Sequence, residues 1–142
     1  MSIRCEIVSQ DRVVYQNEVD IVVLPGAAGQ MGILPHHSPL LTVLNFGIIT
    51  VKNKGVEEHF TVAGGIAEVQ PDQVTILADA AENVKEIDEE RAIKAQQRAE
   101  ARLKETISED TDRYLKTMIA LKKSNLRLQA VRKYRHDFKT KI

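Results

Sequence analysis

Residues 74–103, VTILADAAENVKEIDEERAIKAQQRAEARL, contain the change of period on which the fold turns. Val74 and Ile76 alternate with period two, as in a strand. From Ile87 the period becomes nearly four: Ala92, Ala95, Ala99 and Leu103 form a narrow stripe flanked by Glu, Lys, Arg and Gln, which reads as a helix. Ile87 stands as a hydrophobic staple and Asp88 as the N-cap, while Glu89 and Glu90 place negative charge at the positive end of the helix dipole. The helix is expected from about Asp88 to Ile107, roughly 30 Å long at 1.5 Å per residue.

Toward the N-terminus the period of two persists in Ile3, Cys5, Ile7, in Val19, Ile21, Val23, and in Phe60, Val62. Turn formers separate these sets at Ser9-Gln10-Asp11, Pro25-Gly26, Lys52-Asn53-Lys54-Gly55 and Pro71-Asp72. All seven Gly and all four Pro lie at or before Pro71, so two kinds of backbone share the chain. No helical stretch of ten residues or more separates the strands, which disfavours a parallel α/β sheet. The expected fold is an antiparallel β-sandwich over 1–84 followed by an antiparallel two-helix hairpin over 85–142.

Toward the C-terminus, Ser108 to Asp112 is polar and acidic and is expected to supply the link and a second cap. Tyr114, Leu115, Met118, Ile119, Leu121, Leu126, Leu128, Val131 and Tyr134 then spread an apolar face along a longer second helix. The facing stripe of the first helix is mostly alanine. At about 25 cal/mol per Å² such a pairing gains only a few kcal/mol, so the hairpin is expected to behave as a mobile arm.

At 142 residues, 43% hydrophobic and 28% charged, the chain has enough apolar material for one ordinary domain or two small ones and is not a disordered polyelectrolyte. Its 20 basic and 20 acidic groups cancel, yet unevenly. Residues 1–84 hold 4 basic and 10 acidic groups, and residues 113–142 hold 10 and 1. The end of the chain is therefore a cationic helix on an acidic body. Lys122, Lys123, Arg127, Arg132 and Lys133 lie on that helix; with three Tyr, three Phe and no Trp to stack bases, an acidic protein surface suits it better than nucleic acid. A free-standing sandwich whose basic arm binds a polyanion is the alternative.

Candidates for bond-making chemistry are few. His36, His37 and Ser38 are consecutive, and neighbours in sequence rarely aim at one point; no nearby acid orients either imidazole. His36, His37, His59 and His136 lack metal-ligand spacing, and no metal is expected. Gly26 to Gly32 lacks the Gly-Lys-Ser/Thr of a phosphate loop and reads as a turn-rich loop. Cys5 has no disulfide partner and reads as a small buried hydrophobe. The Met-Ser-Ile-Arg start lacks the apolar run of a signal peptide, so Met1 is expected to begin the functional protein. Ile21 to Val51 carries no Asp, Glu, Lys or Arg, but its prolines and glycines forbid a membrane-spanning helix, so it is expected to be buried or covered by a partner.

Three motifs carry a resemblance. They are Gly32-Ile33-Leu34-Pro35-His36-His37-Ser38-Pro39-Leu40-Leu41, Ala63-Gly64-Gly65-Ile66-Ala67-Glu68-Val69 and Val74-Thr75-Ile76-Leu77-Ala78-Asp79. In order and spacing they resemble the epsilon subunits of bacterial and plastid rotary ATP synthases, and the likeness spans nearly the whole chain. It implies a non-catalytic subunit of the rotating central stalk, peripheral to the membrane on the cytoplasmic face of a bacterial cell, attached only through the complex. Gly29, Gln30 and Met31 match the family's contact with the c-ring, and Ser9 and His37 its contact with the gamma subunit. Gln30 stands where an acid is frequent, which weakens an ion-pair account of ring docking. His36 stands where Gly is usual, and His tolerates positive φ poorly.

The same resemblance implies that the helical arm inhibits ATP hydrolysis when extended, with Lys122, Lys123, Arg127, Arg132 and Lys133 meeting acidic segments of the beta subunits. The resemblance implies contacts of the arm with the alpha subunits as well. Ile87, Asp88, Arg91 and Ala92 reproduce the family's motif for a regulatory ATP, and Lys123 and Arg127 align with two arginines that complete it; a helix cap explains the same motif. No other cofactor is implied.

Overall fold

The structure, a computed structural model, describes residues 1–105 and 111–136. It divides into two compact units, Met1–Val84 and Lys85–Ile142. The first contains eight strands: β1 (Ile3–Ser9), β2 (Arg12–Val19), β3 (Ile21–Gly26), β4 (Gly29–Ile33), β5 (Leu40–Asn53), β6 (Val56–Val69), β7 (Gln73–Ala78) and β8 (Ala81–Asn83). They form one hydrogen-bonded path, β2-β1-β7-β6-β5-β3-β4, with β8 also on β6.

Two 14-residue strands, β5 and β6, run through both halves of that path. Their pairing skips Asn45 and Gly64, between Leu44↔Gly65 and Phe46↔Ala63. At the same level β7 gives way to β8, with Asp79 N–H donating to the Gly64 carbonyl at 3.0 Å and Ala63 N–H to the Ala80 carbonyl at 2.9 Å. The sheet bends there and closes on itself as a sandwich. Tyr15 of β2 meets Phe60 of β6 across the interior, ring centroids 5.0 Å apart. Around them pack Ile3, Cys5, Ile7, Val22, Leu24, Ile33, Ile49, Val62, Val74 and Ile76, all buried. These are largely the alternating positions of the sequence.

One pairing departs from the antiparallel expectation: β1 and β7 run parallel, from Arg4↔Gln73 to Val8↔Leu77. The connection between them passes through five other strands, so no tight turn forces an antiparallel arrangement. Gly26 to Gly32 is also more regular than a loop. It belongs to the β3–β4 hairpin, closed by Ala27 and Ala28 between paired Gly26 and Gly29.

The boundary between the units falls within a 3-10 turn, Val84–Glu86, and the second unit continues as α1 (Glu89–Glu105) and α2 (Thr111–Val131), then a π-helical turn, Arg132–His136. Asp88 caps α1, its Oδ1 accepting from Arg91 N–H at 3.1 Å while its carbonyl accepts from Ala92 N–H. The expected link at Ser108 to Asp112 lies outside the described residues as far as residue 110. The helices are antiparallel neighbours: Gln96 Nε2 donates to Asn125 Oδ1 at 2.6 Å, and the Arg135 guanidinium donates to the Ile87 carbonyl.

The inner face of α2 is only partly the one expected: Leu128 and Val131 are buried, but Tyr114, Leu115 and Ile119 are exposed, and the small polar Thr117 and Ser124 are buried in their stead. The hydroxyls of Thr117 and Ser124 bond the carbonyls of Arg113 and Ala120 four residues back, at 2.8 and 3.0 Å. Once satisfied, they can be buried without penalty against the alanines of α1, and their small size lets the helices approach. Thr117, Ser124 and Val131 recur at seven, as a helix seam requires.

The bend in β6 rests on Gly65, whose φ is +138°. A Cβ there would stand 2.3 Å from the Leu77 carbonyl oxygen and 2.8 Å from the Ala78 Cα, both backbone atoms. Gly65→Ala should therefore lower sandwich stability by about 2 kcal/mol or more, measured by denaturant unfolding. Gly55→Ala, where φ is +84° but nothing lies within 4 Å, should cost less. Equal losses would refute a steric role for Gly65.

Candidate functional site

On the sandwich, the outward positions of five neighbouring strands place apolar side chains in register. Val43 pairs with Ile66, Ile66 with Leu77, Leu77 with Val8, and Val8 with Val13. The row crosses the sheet on its outer side, with Val43 58%, Leu77 48% and Val13 54% exposed, and Leu41 beside it 68% exposed. Apolar side chains aligned so and open to water mark a surface that a partner covers. The sequence signal for it is doubled apolar residues, Ile7-Val8, Ile76-Leu77 and Val43-Leu44, which break strict alternation; no separate expectation named this row.

Ser9 closes the same region, lining a shallow hollow of about 410 Å³ with Val8, Gln10, Ile66 and Leu77. His37 lies toward the other end of these strands, half-buried, its Nδ1 at 2.7 Å from the Ser38 carbonyl oxygen. The imidazole thus engages backbone rather than the Ser38 hydroxyl, and no nucleophile–base pair forms. Gly29 and Gln30 are exposed at the tip of the β3–β4 hairpin, whereas Met31 packs partly against the core. Ala27 N–H donates to the Val43 carbonyl at 2.9 Å, tying the tip to β5.

The Leu34–His37 segment is a tight turn: His37 N–H donates to the Leu34 carbonyl at 3.2 Å, Pro35 occupies the second position, and His36 the third with φ +67°. This is the geometry of a type II turn, which favours Gly at its third position. His36 accepts the left-handed backbone and is further held by its N–H donating to the Pro71 carbonyl at 2.8 Å.

In the helical unit, Lys123 and Arg127 line a groove of about 440 Å³ between α1 and α2. Arg98, Arg102, Arg113 and Lys116 line it too, over a floor of Ala95, Ala99, Thr117, Ala120 and Ser124. Among the described residues, six cations and no acid border this groove. Ile87, Asp88, Arg91 and Ala92 are not among the lining residues: they lie at the start of α1, where Asp88 is the cap and the buried Ile87 gives its carbonyl to Arg135. The structure therefore joins Lys123 to Arg127 but does not bring the four motif residues to them. Arg132 and Lys133 border a second hollow with Gln96, Asn125, Leu128 and Gln129, and Lys122 is exposed.

Among the described residues no three His, Cys, Asp or Glu side chains converge as metal ligands, and no helix is long and apolar enough to cross a membrane. Burial, reinforced by the neighbouring Glu6 charge, pushes the Cys5 thiol up to about 12, which leaves it protonated and unreactive. The chemistry on offer is docking and anion recognition.

Comparisons with known proteins agree in both units. Residues 2–84 match the family described as ATP synthase, Delta/Epsilon chain, beta-sandwich domain, and residues 85–132 match its long alpha-helix domain. An ATP synthase epsilon chain of Dehalococcoides mccartyi is 42% identical over 139 residues, 94% of each chain. One of Herpetosiphon aurantiacus is 44% identical, covering 93% of this chain and 96% of its own. A chain in the mitochondrial ATP synthase of Euglena gracilis, solved with OSCP, F1 and c-ring, superposes with a TM-score of 0.74 at 28% identity, covering 92% of this chain and 81% of that one.

The turn at His36 gives a direct check of local strain. His36→Gly should hold or raise the thermal midpoint, because Gly adopts φ near +67° freely. His36→Val should lower stability by about 1–2 kcal/mol, since a β-branched residue is disfavoured there. Equal midpoints for His and Val would contradict the turn assignment.

Proposed function

The chain belongs to the ATP synthase delta/epsilon chain family, and from that premise we propose that it is the non-catalytic epsilon subunit of a central stalk, with a sandwich for docking and a hairpin for regulation. The observation that carries this reading is the contrast between the units. The sandwich is a packed core with one outer face of aligned apolar side chains, while the hairpin is seamed by Ala, Thr and Ser and bordered by cations.

The row Val43, Ile66, Leu77, Val8, with Ser9 at its edge and His37 farther along the strands, is the surface offered to the gamma subunit. The uncharged hairpin tip, Gly29, Gln30 and Met31, is offered to the c-ring, where shape and apolar contact replace an ion pair. Rotation driven by proton flow passes through these contacts to the catalytic head, and the chain itself makes and breaks no bonds. It sits peripherally, through the complex, on the cytoplasmic face of a bacterial membrane.

Opening the hairpin separates a seam of small residues, which costs only a few kcal/mol at about 25 cal/mol per Å². Extended, α2 brings Lys122, Lys123, Arg127, Arg132 and Lys133 to acidic segments of the beta subunits and to the alpha subunits, and ATP hydrolysis stops. Closed, it permits turnover. A regulatory triphosphate such as ATP favours the closed state if it holds Lys123 and Arg127 in their groove, because a ligand shifts an equilibrium by its differential affinity.

Ending the chain after Val84 should leave the complex assembled, since the sandwich is a unit of its own. ATP hydrolysis by the complex should then rise several-fold over that with the full chain. A truncated complex that assembles but hydrolyses ATP no faster would refute the regulatory role, and one that fails to assemble would refute docking through the sandwich alone.

A further inference from the structure

We propose that the hollow beside Ser9 is a socket for one long basic side chain of the gamma subunit, arginine fitting it better than lysine, and that Asp79 is the residue that selects it. The proposal deepens the docking reading above and rests on it in one respect, that gamma covers the row from Val43 to Val8. Three members of that row, Val8, Ile66 and Leu77, also line the hollow, so a partner that covers the row passes over it. The polar part of the lining is Ser9, Gln10 and Asp79. None of these three side chains has a hydrogen bond or ion pair among the described residues. Polar groups that converge on an apolar hollow without partners of their own are available to a bound group.

Asp79 is placed there by the bend of the sheet. Its N–H donates to the Gly64 carbonyl at 3.0 Å, which fixes the backbone just past β7. Its carboxylate lies back over β6: a Cβ built on Gly64 would stand 2.9 Å from Oδ2, so the missing side chain at Gly64 leaves the carboxylate its room. Among the described residues no cation lines the hollow, and Arg12, which pairs with Ser9 in backbone register, is not one of the lining residues. A carboxylate beside an apolar row disfavours a purely apolar partner, because covering it unpaired costs more than the contact gains. A partner that brings a cation turns the same group into an attraction. Guanidinium suits the site best: its methylene stem can lie along Leu77 and Ile66, and its planar fork of donors can serve carboxylate, amide oxygen and hydroxyl together. The row then supplies contact area, while the socket supplies register and choice of partner.

The test is binding of the full-length chain to an ATP synthase complex depleted of this subunit, at low and moderate salt. Asp79→Asn should weaken binding about tenfold, the loss of one charge-assisted contact, and should flatten its salt dependence. Its thermal midpoint should not move, since Asp79 is exposed. Glu57→Gln, the same change of charge near the start of β6, should bind as the unmodified chain does. Asp79→Arg should bind more weakly still, and exchange of one gamma Arg or Lys for Glu should restore it. Unweakened binding by Asp79→Asn, equal weakening by Glu57→Gln, or no restoring exchange in gamma would overturn the socket and leave docking on the row intact. An unmodified chain that does not bind the depleted complex would overturn the docking reading and the socket with it, so the two failures are distinguishable.

Discussion

The close approach of α1 and α2 depends on side chains small enough to permit it. Ala92, Ala95 and Ala99 on one helix meet a face of the other that includes Thr117, Ser124 and Leu128, and the two hydroxyls are satisfied within their own helix. Such a seam buries little apolar area per residue and so holds the helices weakly by the hydrophobic effect. Specific polar ties fix the register instead: Gln96 to Asn125 along the helices, and Arg135 to the Ile87 carbonyl at the base. The π-helical turn after α2 contains that arginine, and π turns recur where a side chain must be re-aimed. A pairing built this way buries far less apolar surface per residue than the interdigitated core of the sandwich.

The sandwich supplies the complementary property. Large β-branched and aromatic side chains fill its interior, and its two longest strands bend together at Gly64 and Gly65, where β7 hands over to β8. Rigidity there lets the outer row from Val43 to Val13 present a fixed surface. Restricting Gly and Pro to the first half of the chain serves both units: turns and bends where strands must reverse, and two helices, α1 and α2, without a Gly or Pro break.

Much of this was legible in residue order. Alternation at Ile3, Cys5, Ile7 and at Val74, Ile76 located the core face because a strand turns every second side chain inward, and the shift to a near-fourfold period after Ile87 located the first helix and its Asp88 cap. Strand direction was not legible, since alternation is the same read either way; hence the unforeseen parallel pairing of β1 with β7. On α2 the reading held for Leu128 and Val131 but failed for Tyr114, Leu115 and Ile119, which are large and apolar, and size usually predicts burial. Here the alanines opposite favour small partners, and the seven-residue recurrence of Thr117, Ser124 and Val131 was the available sign. Six cations from two helices became a groove only once the helices were paired, since distance along the chain hides it. The sign of a left-handed backbone at His36 was the Gly usual at that position in the resembled family.

In the proposed function, regulation comes from the freedom of α1 and α2 to separate. The direct measurement is ATP hydrolysis by the assembled complex carrying Gln96→Cys and Asn125→Cys, before and after the two thiols are joined by a short thiol-specific cross-linker; Cys5 is buried and does not compete. Locking the helices together should release hydrolysis to the rate of a complex lacking the arm and make it insensitive to conditions that otherwise inhibit. Inhibition that persists unchanged with the helices tied would contradict the account, because the arm would then act without ever opening.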